Sequence, residues 1–241
     1  MKPGYYLVKD QDDSVSGQDS YTRFILEVVG NDVSAKVKSS VPTSEKKVKD
    51  TNDTEGTKTG WQDSADYDIG DQVPFQLTGT IAQDYNDYKS VYQLVFHDTL
   101  SNGLTLDRDS FKVYKNDSNE VLELNQYEVN ITDDKHFTVT IKDVKVLGDD
   151  VSKVRVEYTA TLNENAVIGS LGNPNTMYME FSNNPNNEQG GDKGQTPEDK
   201  VIVFTYKTVI NKINSEKKPL IGAVFKLEKV FKNGSKKLVK E

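Results

Sequence analysis

The sequence predicts an all-β protein built from β-sandwiches, and three observations support this fold class. Many short segments alternate apolar and polar residues with a period of two, which is typical of half-buried strands. Clusters of Gly, Asn, Asp and Pro separate them, and no segment has the periodicity of a long amphipathic helix. The predicted strands are, in order, YYLVKD, RFILEVVG, SEKKVKD, QVPFQLTGTI, VYQLVFHDTL, FKVYKN, YEVNI, HFTVTIK, KVRVEYTATL, NTMYMEFS, VIVFTYKTVINKI and AVFKLEKVF.

Two polar connectors divide this series of strands into three parts. They are VKSSVPT (37–43) and the glycine-rich, charged segment 183–200. The part between them is long enough for a complete sandwich, whereas each end is too short to fold alone. We therefore predict the last strands of a preceding domain in 1–40, one complete sandwich in 41–199, and the first strands of a following domain in 200–241.

Composition excludes several classes of function. The 241 residues carry a net charge of −8, which argues against a nucleic-acid or anionic-membrane surface. The chain has no cysteine, so disulfides and thiol catalysis are excluded. It has no apolar run long enough to span a membrane, and its first residues lack the apolar core of a signal peptide. If the protein is exported, we expect this chain to be a fragment of it.

We expect neither a metal nor a cofactor. His97 and His136 are the two histidines, too few for a zinc site without cysteine. DTNDTEG (50–56) has alternating oxygen ligands, but it has no glycine and no terminal glutamate at the spacing of a calcium loop, which favours a solvated loop. Trp61 and Tyr67 could line a carbohydrate- or protein-binding surface, although packing is the role that aromatic residues fill more often.

Three predicted strands place polar residues on faces that are otherwise apolar. Lys46 shares a face with Val48, Asp98 follows Phe96 on its face, and Asn175 begins a face of large apolar residues. Burying any one of them alone would cost several kcal/mol, whereas together they could satisfy one another. The residues alone leave a second interpretation open. In it, Lys46 lies at a frayed strand end, Asp98 caps a turn, and Asn175 starts a strand.

The order of four motifs resembles the backbone pilins of Gram-positive bacteria. The motifs are P-x-x-x-K-K-V, F-x-D-T-L-S-N-G-L, N-x-M-x-M-x-F-S-N-N-P and K-P-L-I-G-A-V-F-K-L. Such pilins are sortase-assembled fimbrial subunits made of Ig-like, isopeptide-forming sandwiches of the collagen-adhesin B type. The resemblance implies a bond between a first and a last strand. It implies Lys46 and Asn175 as the crosslinked residues and Asp98 as the acid that promotes the reaction.

Burial would supply the chemistry of this bond. Desolvation lowers the pKa of a lysine and raises that of an aspartate, so Lys46 becomes a nucleophilic amine and Asp98 a neutral acid. The reaction would occur once per molecule, which makes it a self-modification and not enzymatic turnover. Asn183 and Asn184 are rival amides, but their position before Pro185 favours a turn.

The flanking segments resemble the family less completely. Lys212 matches the crosslink lysine of a following domain, with a partner that would lie beyond Glu241. Lys38, in VSAKVK, occupies the place of the lysine that sortase joins to the next subunit, but the usual Tyr-Pro is missing. That departure favours a plain solvated lysine at position 38 over a sortase substrate.

The sequence thus predicts a structural fimbrial protein on the surface or cell wall of a Gram-positive bacterium. Its expected partners are neighbouring pilin subunits or the cell wall, joined by sortase. One alternative is a host- or glycan-binding adhesin domain with the same crosslink. Another is a sandwich accessory domain of a secreted hydrolase.

Overall fold

The computed structural model describes residues 2–11, 14–30, 40–52, 57–222 and 224–239, almost entirely as β-strands and loops. The strands of these residues are β1 (Gly4–Lys9), β2 (Arg23–Val28), β3 (Ser44–Asn52), β4 (Thr57–Gln62), β5 (Ser64–Asp66), β6 (Gln72–Thr80), β7 (Leu94–Leu100), β8 (Leu104–Leu106), β9 (Lys112–Lys115), β10 (Tyr127–Ile131), β11 (His136–Ile141), β12 (Lys153–Leu162), β13 (Asn173–Ser182), β14 (Lys193–Gln195), β15 (Asp199–Phe204), β16 (Glu228–Val230) and β17 (Lys236–Leu238). The all-β prediction is confirmed.

Two sheets form the body of the molecule. Sheet I has the order β4-β3-β6-β12-β8, with β9 also paired to β12. Sheet II has the order β10-β11-β7-β13-β15-β5, with β14 also paired to β13. Neighbouring strands are antiparallel, except that β15 and β5 run parallel. The two crosslink candidates lie on β3 and β13, so they belong to different sheets.

The core lies between the sheets and follows the predicted alternation. On β12 and β13 nearly every second residue is buried, because side chains of a strand point alternately to its two faces. The sheets approach closely at Gly79 of β6. A Cβ at Gly79 would lie 2.8 Å from the ring of Phe96 and would also overlap the sulfur of Met179. Only glycine leaves room for both side chains.

The predicted connector 183–200 is part of the sandwich and not a flexible linker. It contains β14, and its Thr196 is buried. The Thr196 hydroxyl accepts the Met179 N–H at 3.0 Å and lies 2.6 Å from the Ser44 hydroxyl. The sequence suggested a linker because the segment is polar and rich in glycine, yet its polar groups find partners on the sheets.

The sandwich also ends later than predicted. β15 pairs with β13 in sheet II and buries Val201 and Val203, so the domain extends past residue 199 to Phe204. Consequently β13 is not the last strand, contrary to what the resemblance implied. The strand predicted to continue to residue 213 ends at Phe204, and the residues that follow are largely exposed.

The two flanks form small hairpins. β1 pairs with β2, and the segment between them contacts sheet II, where the N–H of Gln195 donates to the Gly17 carbonyl at 2.7 Å. β16 pairs with β17, and Lys237 of β17 forms an ion pair with Asp71, just before β6. The helical elements of the described residues are 3-10 turns at Tyr85–Asp87 and Val144–Val146. Neither is long or apolar enough to cross a membrane.

Candidate functional site

Lys46 lies on β3 of sheet I with its side chain in the core. It pairs in register with Leu77 on β6, and it shares its inward face with Val48. The alternation of β3 therefore points Lys46 between the sheets and Lys47 outward, as the sequence predicted. Lys46 is 0% exposed, which is unusual for a lysine and requires partners for its amine.

Sheet II supplies the other two predicted residues. Asp98 of β7 lies opposite Met177 of β13, and Asn175, two residues earlier on β13, lies opposite Leu100. Adjacent antiparallel strands thus place the carboxyl and the amide on one face of the sheet. Both side chains are buried, with Asn175 fully shielded from solvent.

The structure brings Lys46, Asp98 and Asn175 together around one further residue, Tyr158 of β12. The Lys46 amine forms a buried ion pair with Asp98. The Tyr158 hydroxyl accepts from Lys46 Nζ at 3.0 Å and from Asn175 Nδ2 at 2.7 Å, and it donates to Asp98 Oδ1 at 3.1 Å. This cluster of four polar side chains spans the gap between the two sheets.

Aromatic rings surround the cluster and exclude water. Phe75 and Phe111 stack on the Tyr158 ring at centroid distances of 5.4 and 5.6 Å, and Phe137 packs edge-on at 4.9 Å. The Lys46 amine lies 5.4 Å from the centroid of the Phe75 ring. An apolar shell of this kind strengthens every electrostatic interaction inside it and penalises any unpaired charge.

The shell changes the ionisation of the three titratable groups. Burial lowers the pKa of Lys46 below its usual value, against the attraction of Asp98. Burial likewise raises the pKa of Asp98, against the attraction of Lys46. The Tyr158 pKa is raised well above its usual value by burial, so its phenol stays protonated. These directions favour a neutral amine beside a neutral acid.

The Asn175 carbonyl oxygen is left without a hydrogen-bond partner in the described part of the chain. Such an orphan is uncommon in a core, because burying a carbonyl unpaired costs about 1–3 kcal/mol. The amide nitrogen on the other side is held by Tyr158. Asn175 is therefore positioned through its nitrogen, while its carbonyl is free to accept a proton.

A second contact across the sheets fixes the backbone at Lys46. The Asp199 carboxylate of β15 accepts the Lys46 N–H at 2.7 Å. Asp199 and Tyr158 were not identified from the sequence. Tyr158 shares the buried face of β12 with Val154 and Val156, as an ordinary core residue would. The signal that could have found it is its hydroxyl, since a buried phenol usually has a hydrogen-bond partner.

The remaining candidates lie away from this cluster. Lys38 falls outside the described residues. Lys212 is exposed, and Lys47 pairs with Asp63 at 2.6 Å on the outer surface. The amide nitrogen of Asn183 donates to the Asp19 carbonyl at 3.3 Å, and that of Asn184 donates to Asp192 at 2.8 Å. These two rival amides hold loops in place, which agrees with their turn assignment.

Among the described residues, the other candidates for a metal site or a binding surface form no cluster of functional side chains. No group of three His, Cys, Asp or Glu side chains there is arranged to hold a metal. His97 stacks on Tyr178 at 4.5 Å on the outer face of sheet II, and Tyr67 is buried. Trp61 is half-buried, with the Lys49 amine 4.4 Å from its ring centroid.

Comparison with known proteins identifies the class of protein that this sandwich resembles. Residues 69–185 match the family model described as Gram-positive pilin backbone subunit 2, Cna-B-like domain. That segment contains Asp98 and Asn175, and Lys46 precedes it. The matched region is therefore similar to the Cna-B-like domains of Gram-positive pilin backbones, and the resemblance found in the sequence is confirmed.

Individual relatives agree with this class. The chain is 30% identical to the trypsin-resistant surface T6 protein of Streptococcus pyogenes, over 78% of this chain and 36% of that protein. The solved T6 backbone pilin of serotype M6 S. pyogenes is 25% identical with a TM-score of 0.58, covering 82% of this chain and 45% of that one. The fold also matches BcpA, the major pilin subunit of Bacillus cereus, at a TM-score of 0.61, with 21% identity over 90% of this chain and 60% of that one. The chain thus spans about a third of the length of the curated relative that it matches.

Proposed function

We propose that this chain is a structural module of a pilus shaft on a Gram-positive cell surface, stapled by a self-formed isopeptide bond between Lys46 and Asn175. The buried cluster that joins the two sheets supports this proposal most directly. It combines an amine of lowered pKa, a carboxyl of raised pKa and an amide with an unpaired carbonyl. The similarity of the matched region to pilin backbone domains supports a mechanical role for the crosslink.

The reaction needs no cofactor because the fold supplies proximity. Neutral Lys46 attacks the Asn175 side-chain carbon, and Asp98 protonates the carbonyl oxygen as the tetrahedral centre forms. Collapse of that centre releases ammonia and leaves an amide between the sheets. Asp98 is regenerated, but the Lys46 and Asn175 side chains are both consumed, so each molecule reacts once.

The cluster also explains why an unlinked state would be unfavourable. A buried lysine and aspartate stabilise a fold only weakly, because desolvation offsets most of their mutual attraction. Converting the amine to an amide removes a group that can carry charge and keeps a compact polar link. On this account the ion pair is the precursor of the bond, and its low intrinsic stability is tolerated because it reacts.

The neighbours of this module in the proposed shaft are other pilin subunits, joined by sortase outside the cell. Lys38 remains the candidate for that linkage, and Lys212 the candidate crosslink lysine of a following domain. Neither is needed for the Lys46–Asn175 bond. The adhesin alternative shares the same crosslink, and binding to a glycan array or to matrix proteins would favour it.

Intact-mass spectrometry tests the crosslink. Loss of ammonia should make the folded protein about 17 Da lighter than its sequence mass. Lys46→Ala and Asn175→Ala remove a reactant, and Asp98→Asn removes the proton donor while keeping its shape, so all three should keep the full mass. Lys47→Ala is the matched control, because its side chain lies on the outer face and pairs with Asp63. A folded wild-type protein at full mass would refute the proposal.

A further inference from the structure

The Tyr158 hydroxyl touches both nitrogen atoms that the proposed reaction exchanges. Lys46 Nζ, the attacking atom, lies 3.0 Å from this oxygen, and Asn175 Nδ2, the leaving atom, lies 2.7 Å from it. Asp98 reaches the same oxygen from a third direction, at 3.1 Å. All three contacts are within hydrogen-bonding range.

The overall reaction requires one proton to move between these nitrogens. A C–N bond forms between Lys46 Nζ and the side-chain carbon of Asn175, and the bond from that carbon to Nδ2 breaks. The attacking amine loses one hydrogen, and the departing amide nitrogen gains one to leave as ammonia. No oxidant or reductant takes part. Asp98 serves the carbonyl oxygen, so the nitrogen-to-nitrogen proton needs a carrier of its own.

We propose that Tyr158 is this carrier, a general acid–base residue that accepts the proton from Lys46 Nζ while it donates its own to Asn175 Nδ2. This inference rests on the isopeptide bond proposed above. A phenol has one donor and two acceptor positions, so it can hold both nitrogens before reaction and pass a proton between them by rotating its O–H. Because the phenol remains protonated when buried, it has a proton to give.

The packing of the Tyr158 ring allows its hydroxyl to be removed without disturbing the core. The Tyr158 ring is held by Phe75, Phe111 and Phe137, and these contacts do not involve the hydroxyl. Tyr158→Phe should therefore keep the core and lose only the relay. Tyr92→Phe is the matched control, since Tyr92 is equally buried in the same core and its hydroxyl has no partner in the described residues.

The rate of ammonia loss measures the relay. The chain is synthesised in a cell-free system, and synthesis is then stopped. Samples are quenched in acid at timed intervals, and their intact mass is measured by mass spectrometry. We expect Tyr158→Phe to crosslink about 10²–10⁴-fold more slowly than wild type, the usual contribution of a positioned acid–base group. Tyr92→Phe should crosslink at the wild-type rate. Crosslinking of Tyr158→Phe at the wild-type rate would overturn the proposed role.

A second measurement covers the case in which Tyr158→Phe does not fold. The wild-type rate is measured in mixtures of light and heavy water. A relay moves two protons in one step, so a plot of the rate against the deuterium fraction should be curved. A straight line would contradict the relay. A wild type that never loses ammonia would instead refute the crosslink itself, which keeps the two failures distinguishable.

Discussion

At the scale of single residues, the Lys46–Asp98 pair behaves as one titrating unit. The pair holds one proton whether it is written as two ions or as neutral amine and acid. Burial lowers the pKa of Lys46 and raises that of Asp98, which favours the neutral form. Adding a proton would leave a buried ammonium alone, and removing one would leave a buried carboxylate alone. Both changes are costly, so the reactive form persists over a wide range of pH.

Because burial lowers the pKa of Lys46 and raises that of Asp98, we expect the crosslinking rate of newly made protein to be flat over a window around neutral pH. Below that window Lys46 gains a proton and stops being a nucleophile. Above it Asp98 loses its proton and cannot polarise the Asn175 carbonyl. A solvated lysine would instead react about tenfold faster per pH unit across this range. Timed intact-mass measurements across the range would reveal such a rise, which would mean that Lys46 reacts from a hydrated state.

The residue scale also shows the limit of sequence patterns. The period-two alternation correctly predicts that Lys46, Asp98 and Asn175 point into the core, because each shares a strand face with large apolar residues. The same pattern hid Tyr158, since an inward tyrosine among valines is indistinguishable from core packing. Its role depends on hydrogen bonds to β3, β7 and β13, and these arise only when distant strands meet.

At the scale of elements, the sequence predicted most strands but not how they pair. Alternation identifies the buried face of a strand and carries no information about the sheet to which the strand belongs. The resemblance implied a bond between a first and a last strand. The structure instead places β3 and β13 in different sheets, with β15 following β13 in sheet II. The glycine-rich connector was misread because tertiary hydrogen bonds, not local sequence, order it.

Close contact between the sheets at Gly79 leads to a prediction about stability. Gly79→Ala should lower the free energy of unfolding by about 1–3 kcal/mol, because the new methyl group would overlap Phe96 and Met179. Urea unfolding in the Asn175→Ala background measures this without the crosslink. Gly60→Ala, in strand β4, is the control, since its Cβ would meet nothing within 4 Å. Equal urea midpoints for the two variants would show that the sheets have room to separate.

At the scale of the whole molecule, the proposed bond determines which residues can bear tension. Lys46 lies near the start of the sandwich, whereas Asn175 lies near its end, so the bond closes roughly 130 residues into a loop. A link of that span stabilises a fold by about 5 kcal/mol in the loop-entropy model. Because β3 and β13 face each other across the core, force entering at β3 would cross to sheet II through a covalent bond. Residues beyond Asn175, through Phe204, stay outside the loop and can still be pulled free.

Single-molecule stretching through the two ends of the chain tests this central claim most directly. In wild type, residues 46–175 should stay folded, and extension should come only from the flanks and from the strands that follow Asn175. The Asn175→Ala variant should lengthen further, by on the order of 400 Å for roughly 130 residues at full extension. The same total extension in both proteins would contradict a covalent bridge on the force path.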